Sequence, residues 1–97
     1  MASVLKLGPH RVDLHERVLH ADVGPIELTE TEVGVLAYLA RTPGQPVPRA
    51  ELLQEVWGYA PGVRSRTVDT TVHRLRVKLE AEPSNPTLLV TVRGRGY

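Results

Sequence analysis

The 97-residue chain has no cysteine and no phenylalanine, and its aromatic residues are limited to one tryptophan and three tyrosines. The absence of cysteine excludes disulfides, thiolate zinc sites and a cysteine nucleophile, and it fits a reducing compartment. No stretch approaches the roughly 20 apolar residues that a membrane span needs. The N-terminus has no basic flank followed by a long apolar run, so we expect no signal peptide, no membrane partner and a cytoplasmic protein.

The residues that are present fit one globular domain spanning positions 1–97, with 41% hydrophobic and 24% charged side chains. The net charge of +1 hides an asymmetry. Residues 1–60 carry five basic and eight acidic side chains, whereas residues 61–97 carry seven basic against three acidic ones, a balance of +4. Six of those seven cations are arginine. This pattern fits a polyanion partner and, equally, a solvated helix face.

Short alternating segments occupy the first 28 residues. They are separated by turn clusters such as Gly8-Pro9 and Asp22-Val23-Gly24-Pro25. Turns this short allow only antiparallel pairing. The sequence therefore predicts an antiparallel meander within 4–28, with strands at 4–7, 11–14, 18–21 and 26–28.

A first helix is predicted over 29–41, where the period of the apolar residues changes. Thr29 and Glu32 have the spacing of a capping box, and Leu28 with Val33 forms the matching hydrophobic staple. The helix ends before Pro43 and Gly44. Four apolar residues then lie on one helical stripe: Val33, Leu36, Ala37 and Ala40.

Two further helices are predicted over 48–57 and 65–81. The apolar face of the second consists of Leu52, Leu53, Val56 and Trp57. The third begins near Ser65 as a plausible N-cap, and a narrow apolar arc predicts its core face. That arc is formed by Val68, Val72, Leu75 and Leu79.

The outer face of the third helix carries cations and small hydrogen-bonding groups, which suit base edges and phosphates. The residues farthest from the core arc are Arg66, Thr70, His73, Arg74 and Val77, and the flanks hold Asp69, Thr71, Arg76 and Lys78.

A β-rich run over 88–92 leads into the sequence Arg93-Gly94-Arg95-Gly96-Tyr97 within a terminal segment at 87–97. Two arginines at a narrow glycine-containing tip fit a minor groove, where the negative potential attracts arginine. Taken alone, the same pattern also fits a glycine-rich turn with solvated arginines.

Four segments in order resemble the OmpR/PhoB-type output domains of bacterial response regulators: 28–36, 51–58, 66–79 and 91–97. This resemblance implies an α+β fold, a winged helix-turn-helix with an N-terminal four-stranded antiparallel sheet, three helices and a C-terminal β-hairpin wing. It also implies a transcriptional regulator of a two-component system that binds double-stranded DNA. The family continues beyond the position of Tyr97 with a basic residue and a final strand, so we expect a short return strand in the wing.

The resemblance also implies roles for individual residues, with the third helix in the major groove and the wing in the minor groove. Arg66 and Thr67 would contact phosphates, while Thr70, His73 and Arg74 would face bases. Arg76 would grip a phosphate or pair with Asp69. The remaining implied contacts are Thr71, which stands where the family usually has histidine, together with Lys78, Thr91, Arg93 and Arg95.

The segment from 57 to 65 corresponds to the loop that contacts RNA polymerase in activators of this type. The candidate contacts are Trp57, Gly58, Tyr59 and Arg64, although Trp57 is most simply a core or core-edge anchor. The resemblance implies tandem pairing on direct repeats by a protein that is monomeric in solution. Within these 97 residues no receiver domain precedes the first strand, so the residues themselves give no support for control by phosphorylation.

Other functions are less consistent with the sequence. It contains no Ser-His-Asp or P-loop pattern, so we expect neither an enzyme nor a cofactor. His10, His15 and His20 recur every five residues, but they lie across strands and turns, so we expect no metal site. The main alternative is a winged helix that contacts protein rather than DNA. Salt distinguishes the two, because about five engaged phosphates would give log K a slope of roughly −4 to −5 against log salt.

Overall fold

The computed structural model describes residues 4–60, 62, 65–92 and 94–97. The first part of the chain forms one antiparallel sheet in sequence order. This confirms the predicted meander, although the second and fourth strands begin one and two residues earlier than expected. The strands are β1 (Val4–Leu7), β2 (His10–Asp13), β3 (Val18–Ala21) and β4 (Gly24–Glu27).

The register of the sheet separates an apolar face from a polar one. Leu5, Val12, Leu19 and Ile26 are cross-strand partners in one row. Side chains alternate along a strand, so the neighbouring row of Lys6, Arg11 and His20 lies on the opposite face. Val12 and Leu19 are fully buried, so the first row is the side of the sheet that covers the core.

Three helices follow within the described residues, each shorter at its ends than predicted: α1 (Glu30–Leu39), α2 (Arg49–Glu55) and α3 (Thr67–Leu79). The predicted capping box is confirmed at the start of α1. The Thr29 hydroxyl accepts a hydrogen bond from the Glu32 amide at 3.2 Å, and Glu32 Oε1 accepts one from the Thr29 amide at 2.7 Å. These two bonds satisfy amides that the helix itself leaves without partners.

Of the four residues on the predicted stripe of α1, Leu36 is buried and Val33 packs against the core while partly exposed. The buried residues of this helix are Glu32, Val35 and Leu36, whereas Val33 is only partly buried. Apolar side chains surround α1 on nearly every side, so periodicity does not single out one face. The face that packs also includes a charged residue, Glu32, which the sequence pattern assigns only to the cap.

The helical core otherwise follows the sequence. All four predicted core residues of α3 are buried, from Val68 to Leu79, and so are Leu52 and Leu53 of α2. Trp57 is partly buried and packs against this cluster, which confirms its role as a core-edge anchor. Burying one face of α3 leaves its opposite face towards solvent.

The C-terminal segment does not form the strand predicted over 88–92. Among the described residues it holds one isolated bridge, between Val92 and Gly96, so the hairpin is reduced to its tip. Tyr97 then pairs with Val47 through two backbone hydrogen bonds of 2.7 and 3.0 Å. A strand is absent over 87–89 because the amides of these residues donate to the carboxylate of Glu80 instead.

Candidate nucleic-acid interface

The outer face of α3 is the exposed surface that the sequence predicts. All five residues placed opposite the core arc are exposed, and Val77 retains 58% of its accessible surface. The other four are Arg66, Thr70, His73 and Arg74. This face therefore presents two guanidinium groups, an imidazole and a hydroxyl within three turns of one helix.

The start of α3 differs by one residue from the prediction. Arg66, rather than Ser65, occupies the N-cap position. The Ser65 hydroxyl nevertheless accepts a hydrogen bond from the Thr67 amide at 3.1 Å, and it lies 2.7 Å from the Thr67 hydroxyl. Arg66 thus stands exposed at a helix N-terminus, where the backbone amides add positive potential.

Two predicted contact residues on the flanks face away from this surface. Thr71 is only 5% exposed because it packs on the core side of α3. The ammonium group of Lys78 lies 2.7 Å from Glu32 Oε1 and donates to the Glu27 carbonyl at 3.0 Å. We therefore remove Thr71 and Lys78 from the candidate contact set.

The ion pair between Lys78 and Glu32 joins the end of α3 to the start of α1. Burial alone would raise the pKa of the Glu32 carboxyl, but the hydrogen bonds from Lys78 and from the Thr29 amide outweigh it, so the pKa lies below 4.5. Glu32 is therefore ionised at neutral pH. The charge of Lys78 compensates a buried carboxylate and serves the fold.

Arg76 is also held within the protein. Its Nε donates to the Leu89 carbonyl at 2.9 Å, and its terminal nitrogen donates to the Thr91 hydroxyl at 2.6 Å. The predicted alternative, in which Arg76 pairs with Asp69, is wrong. Asp69 instead accepts hydrogen bonds from Arg49 Nε at 2.7 Å and from the Tyr97 hydroxyl. Asp69 thus pairs with an arginine of α2 and not with one of α3.

The tip of the wing lies next to these contacts. Thr91 and Arg95 are exposed, and the Arg95 amide donates to the Val92 carbonyl at 2.9 Å. The predicted contact at Arg93 lies outside the described residues. Arg95 is therefore the wing cation whose surroundings are known.

The candidate polymerase loop begins where α2 ends. Gly58 has a φ of 74°, and the amide that follows, that of Tyr59, donates to the Leu53 carbonyl at 3.0 Å, which closes the helix end. Gly58 and Tyr59 are exposed, whereas Trp57 is partly buried. Arg64 lies outside the described residues.

The three N-terminal histidines are not brought together around an ion. Across residues 4–60, 62, 65–92 and 94–97, no group of three or more histidine, aspartate or glutamate side chains is positioned to hold a metal. His10 Nε2 instead lies 2.7 Å from the Leu79 carbonyl at the end of α3. In the same part of the chain, no helix has the length and hydropathy needed to cross a bilayer.

Sequence reasoning gave no role to three polar residues that organise this surface: Arg49, Glu80 and Tyr97. Burial and the hydrogen bond to Asp69 raise the pKa of the Tyr97 phenol above 10, so its hydroxyl remains a donor. The guanidinium groups of Arg49 and Arg76 lie 5.8 and 5.6 Å from the centre of its ring. Of these three, only Tyr97 belongs to a motif that the sequence analysis identifies, the wing motif at 91–97.

The chain matches known regulators over nearly its whole length. It is 49% identical over 88 residues to the probable transcriptional regulator ycf27 of Guillardia theta and 43% identical over 95 residues to the sensory transduction protein RegX3 of Mycolicibacterium smegmatis. These alignments cover 89% and 98% of the chain but only 35% and 42% of the two relatives. The chain therefore spans about two fifths of their length.

The fold is shared with a DNA-binding domain. The structure superposes on that of the Klebsiella pneumoniae RstA DNA-binding domain, solved in complex with the RstA box, with a TM-score of 0.83 and 28% identity over 99% of this chain and 95% of that one. The family model described as "Transcriptional regulatory protein, C terminal" matches residues 23–97. The chain belongs to this family, that of the OmpR/PhoB-type winged helix domains of transcriptional regulators.

Proposed function

We propose that this domain binds double-stranded DNA in a sequence-specific manner and serves as the DNA-binding part of a transcriptional regulator, without catalytic activity. The observation that carries the proposal is the exposed face of α3, whose cations and small polar groups lie opposite four buried aliphatic side chains. The DNA complex of the RstA domain supports the proposal by likeness of fold. The side chains of this chain supply the chemical argument.

The exposed face of α3 is suited to the major groove, which admits an α-helix and displays a distinct pattern of donors and acceptors for each base pair. Arg74 lies in the middle of the face, and its planar guanidinium fits a bidentate contact to guanine. Thr70 and His73 flank it and can reach neighbouring base edges. Arg66, beside the first amides of the helix, suits a phosphate.

The wing is suited to the adjacent minor groove. Arg95 is exposed in a turn flanked by Gly94 and Gly96, and Arg93 precedes Gly94 in the sequence. An arginine inserted into a narrow minor groove gains from its negative potential without reading individual bases. We expect Thr91 to contribute a phosphate contact at the base of this tip.

The finer features of the proposal follow the family. They are a cytoplasmic location, a monomer in solution, pairing in tandem on half-sites about one helical turn apart, and contact of the loop at Trp57, Gly58 and Tyr59 with RNA polymerase. The monomer is supported by the core, which takes up the buried stripes of α1, α2 and α3. Sedimentation without DNA tests whether the protein is a monomer in solution. Footprinting at saturation tests whether two copies occupy neighbouring half-sites.

The decisive experiment is binding-site selection followed by fluorescence anisotropy titrations at several salt concentrations. Arg74→Ala should relax preference at one base position and cost about 1–3 kcal/mol on the selected site. Arg66→Ala should weaken binding on all sequences alike. Arg11→Ala is the matched control, because Arg11 is an exposed arginine on the polar face of the sheet.

The same titrations distinguish the alternative function. DNA binding requires a steep loss of affinity with salt. A flat salt response, or a selected motif identical for wild type and Arg74→Ala, would contradict the assignment and favour a winged helix that contacts protein.

A further inference from the structure

The wing is the C-terminal segment over 87–97, and in its described part no β ladder sets its position relative to α3. Within the described part of residues 87–97, the backbone hydrogen bonds lie at the tip, between Val92 and residues 95–96, and between Tyr97 and Val47. Along the chain, residues 87–91 connect the end of α3 to these contacts and form no backbone hydrogen bond with backbone groups of the other described residues. Their position therefore depends on contacts with side chains of α3.

Three polar side chains of α3 and its C-cap point along the same side of the helix: Asp69, Arg76 and Glu80. Their spacings of seven and four residues correspond to two turns and one turn. Each of them contacts the C-terminal segment, and we call this set the polar stripe. It lies between the buried arc and the exposed face.

Glu80 holds the beginning of the segment. Its two carboxylate oxygens accept hydrogen bonds from three consecutive backbone amides: Thr87 at 2.9 Å, Leu88 at 2.9 Å and Leu89 at 2.8 Å. The residue is buried, so water competes little for these bonds. A carboxylate that receives three amides fixes the direction of the chain as it leaves the end of α3.

Arg76 holds the middle of the segment. Its planar guanidinium donates in two directions, to the Leu89 carbonyl and to the Thr91 hydroxyl, and its carbon lies 5.6 Å from the centre of the Tyr97 ring. These three contacts require a flat group with several donors in fixed directions. A lysine at the same position retains the charge but cannot make them together.

Asp69 holds the end of the segment through Tyr97. The Tyr97 hydroxyl donates to Asp69 Oδ1, and the same oxygen accepts from Arg49 Nε of α2. The tyrosine is thereby tied to the first turn of α3. The two ends of the wing and its middle are each fixed to the helix that carries the exposed face.

We propose that Arg76 and Glu80 are positioning residues that hold the wing at a fixed place relative to α3, so that the helix and the wing tip can engage one DNA segment together. This role of Arg76 replaces the phosphate contact that the family resemblance implies for it. The inference rests on the proposed wing contact with DNA. A wing that is already ordered loses less conformational entropy on binding, and this raises affinity.

The test compares Arg76→Lys, Arg76→Ala and Glu80→Gln with Arg11→Lys as the matched control, because Arg11 is an exposed arginine on the polar face of the sheet. The first readout is amide hydrogen exchange of the domain without DNA. Exchange at Val92 and Gly96, whose amides do not bond to Arg76, should accelerate about tenfold in Arg76→Lys, while Val12 and Leu19 of the sheet stay protected. Unchanged exchange at Val92 and Gly96 would overturn the proposal.

The second readout is DNA affinity on matched probes with A·T-rich and G·C-rich flanks. Arg76→Lys should lose about as much affinity as Arg76→Ala, mainly on the A·T-rich probe, and the loss should not add to that of Arg95→Ala. Two outcomes would identify a phosphate contact and overturn the inference. One is wild-type affinity of Arg76→Lys on both probes; the other is a slope of log K against log salt that is reduced by about one in Arg76→Ala but not in Arg76→Lys.

The two readouts separate this inference from the wing contact on which it rests. If Arg93→Ala and Arg95→Ala leave affinity unchanged on both probes, the proposed wing contact fails, and a positioning role in DNA binding fails with it. If they weaken binding but hydrogen exchange is insensitive to Arg76→Lys, the wing contact stands and the positioning role alone is refuted.

Discussion

Removing the ammonium group of Lys78 should destabilise the fold while leaving the DNA affinity of the folded domain nearly unchanged. The Lys78 side chain is 26% exposed, whereas its partner Glu32 is 1% exposed. Lys78→Met keeps much of the aliphatic stem but leaves a buried carboxylate without its cation. The variant therefore separates the contribution of Lys78 to folding from any contribution to binding.

The magnitude follows from the burial of the pair. Removing one partner of a buried ion pair costs about 3–5 kcal/mol because the other charge remains desolvated. A quarter of Lys78 is open to water, so we expect the loss in Lys78→Met at pH 7 to be about 2–4 kcal/mol. Adding Glu32→Gln should recover part of this loss, since a neutral amide tolerates burial without a cation.

The pH dependence has a definite sign. In the wild type the pKa of Glu32 is lowered, so its stabilising contribution is present above 4.5 and is lost as pH falls through the folded-state pKa. Without Lys78, the hydrogen bond and the charge that lower the pKa of Glu32 are lost, so we expect its pKa to rise relative to wild type and the folded variant to bind more protons than folded wild type. The difference in stability between Lys78→Met and wild type should therefore shrink as pH falls from 7 towards 4.5.

Urea denaturation at pH 7 and at pH 5 checks this reasoning, with Lys6→Met as the matched control, because Lys6 is an exposed lysine on β1. The reasoning is refuted if Lys78→Met is no more destabilising than Lys6→Met, or if its deficit grows at lower pH. If Lys78→Met reduced the slope of log K against log salt by about one, Lys78 would belong to the DNA-contact set.

Three further outcomes follow from single contacts. Thr29→Ala should lower the free energy of unfolding by about 1 kcal/mol through loss of the α1 cap, as measured by urea denaturation; no measurable loss would contradict the cap. Gly96→Ala should cost clearly more than Gly94→Ala in the same assay, because a Cβ at Gly96 would lie 1.9 Å from a backbone carbonyl oxygen, whereas one at Gly94 meets nothing within 4 Å; equal losses would refute this. Burial alone would raise the pKa of Glu80, but backbone amide donors lower it from its ordinary value of 4.5, so the stability that its carboxylate provides is present above 4.5 and is lost as pH falls through the folded-state pKa. Glu80→Gln should flatten this part of the acid unfolding curve, and an unchanged curve would exclude the effect.

Features set by neighbouring residues could be predicted from the sequence. The capping box is recognised because Thr29 and Glu32 are three positions apart. The core arc of α3 is recognised because its apolar residues repeat with the period of an α-helix. Both are local, so pattern alone locates them. The exposed face of α3 follows because it is what remains opposite the buried arc.

Features set by partners distant in the chain could not be predicted in this way. Lys78 lies 46 positions from Glu32, and no local pattern links a cation at the end of one helix to the cap of another. The strand expected over 88–92 has high β propensity, but propensity yields to context when Glu80 takes the amides that a ladder would use. Thr71 is buried although it is polar, because it lies beside Val72 on the packed side of α3.

Charge counting therefore overestimates the contacts that this surface can make. The balance of +4 over residues 61–97 suggests about five phosphates, but that count includes Lys78, which compensates Glu32, and Arg76, which donates to Leu89 and Thr91. Cations with partners inside the protein release few counterions when DNA binds. A slope of log K against log salt nearer −3 to −4 than −5 is therefore expected from the arginines of the exposed face and the wing tip. The same cations that make this third of the chain basic also hold the wing and the end of α3 in place, so its net charge reports folding and recognition together.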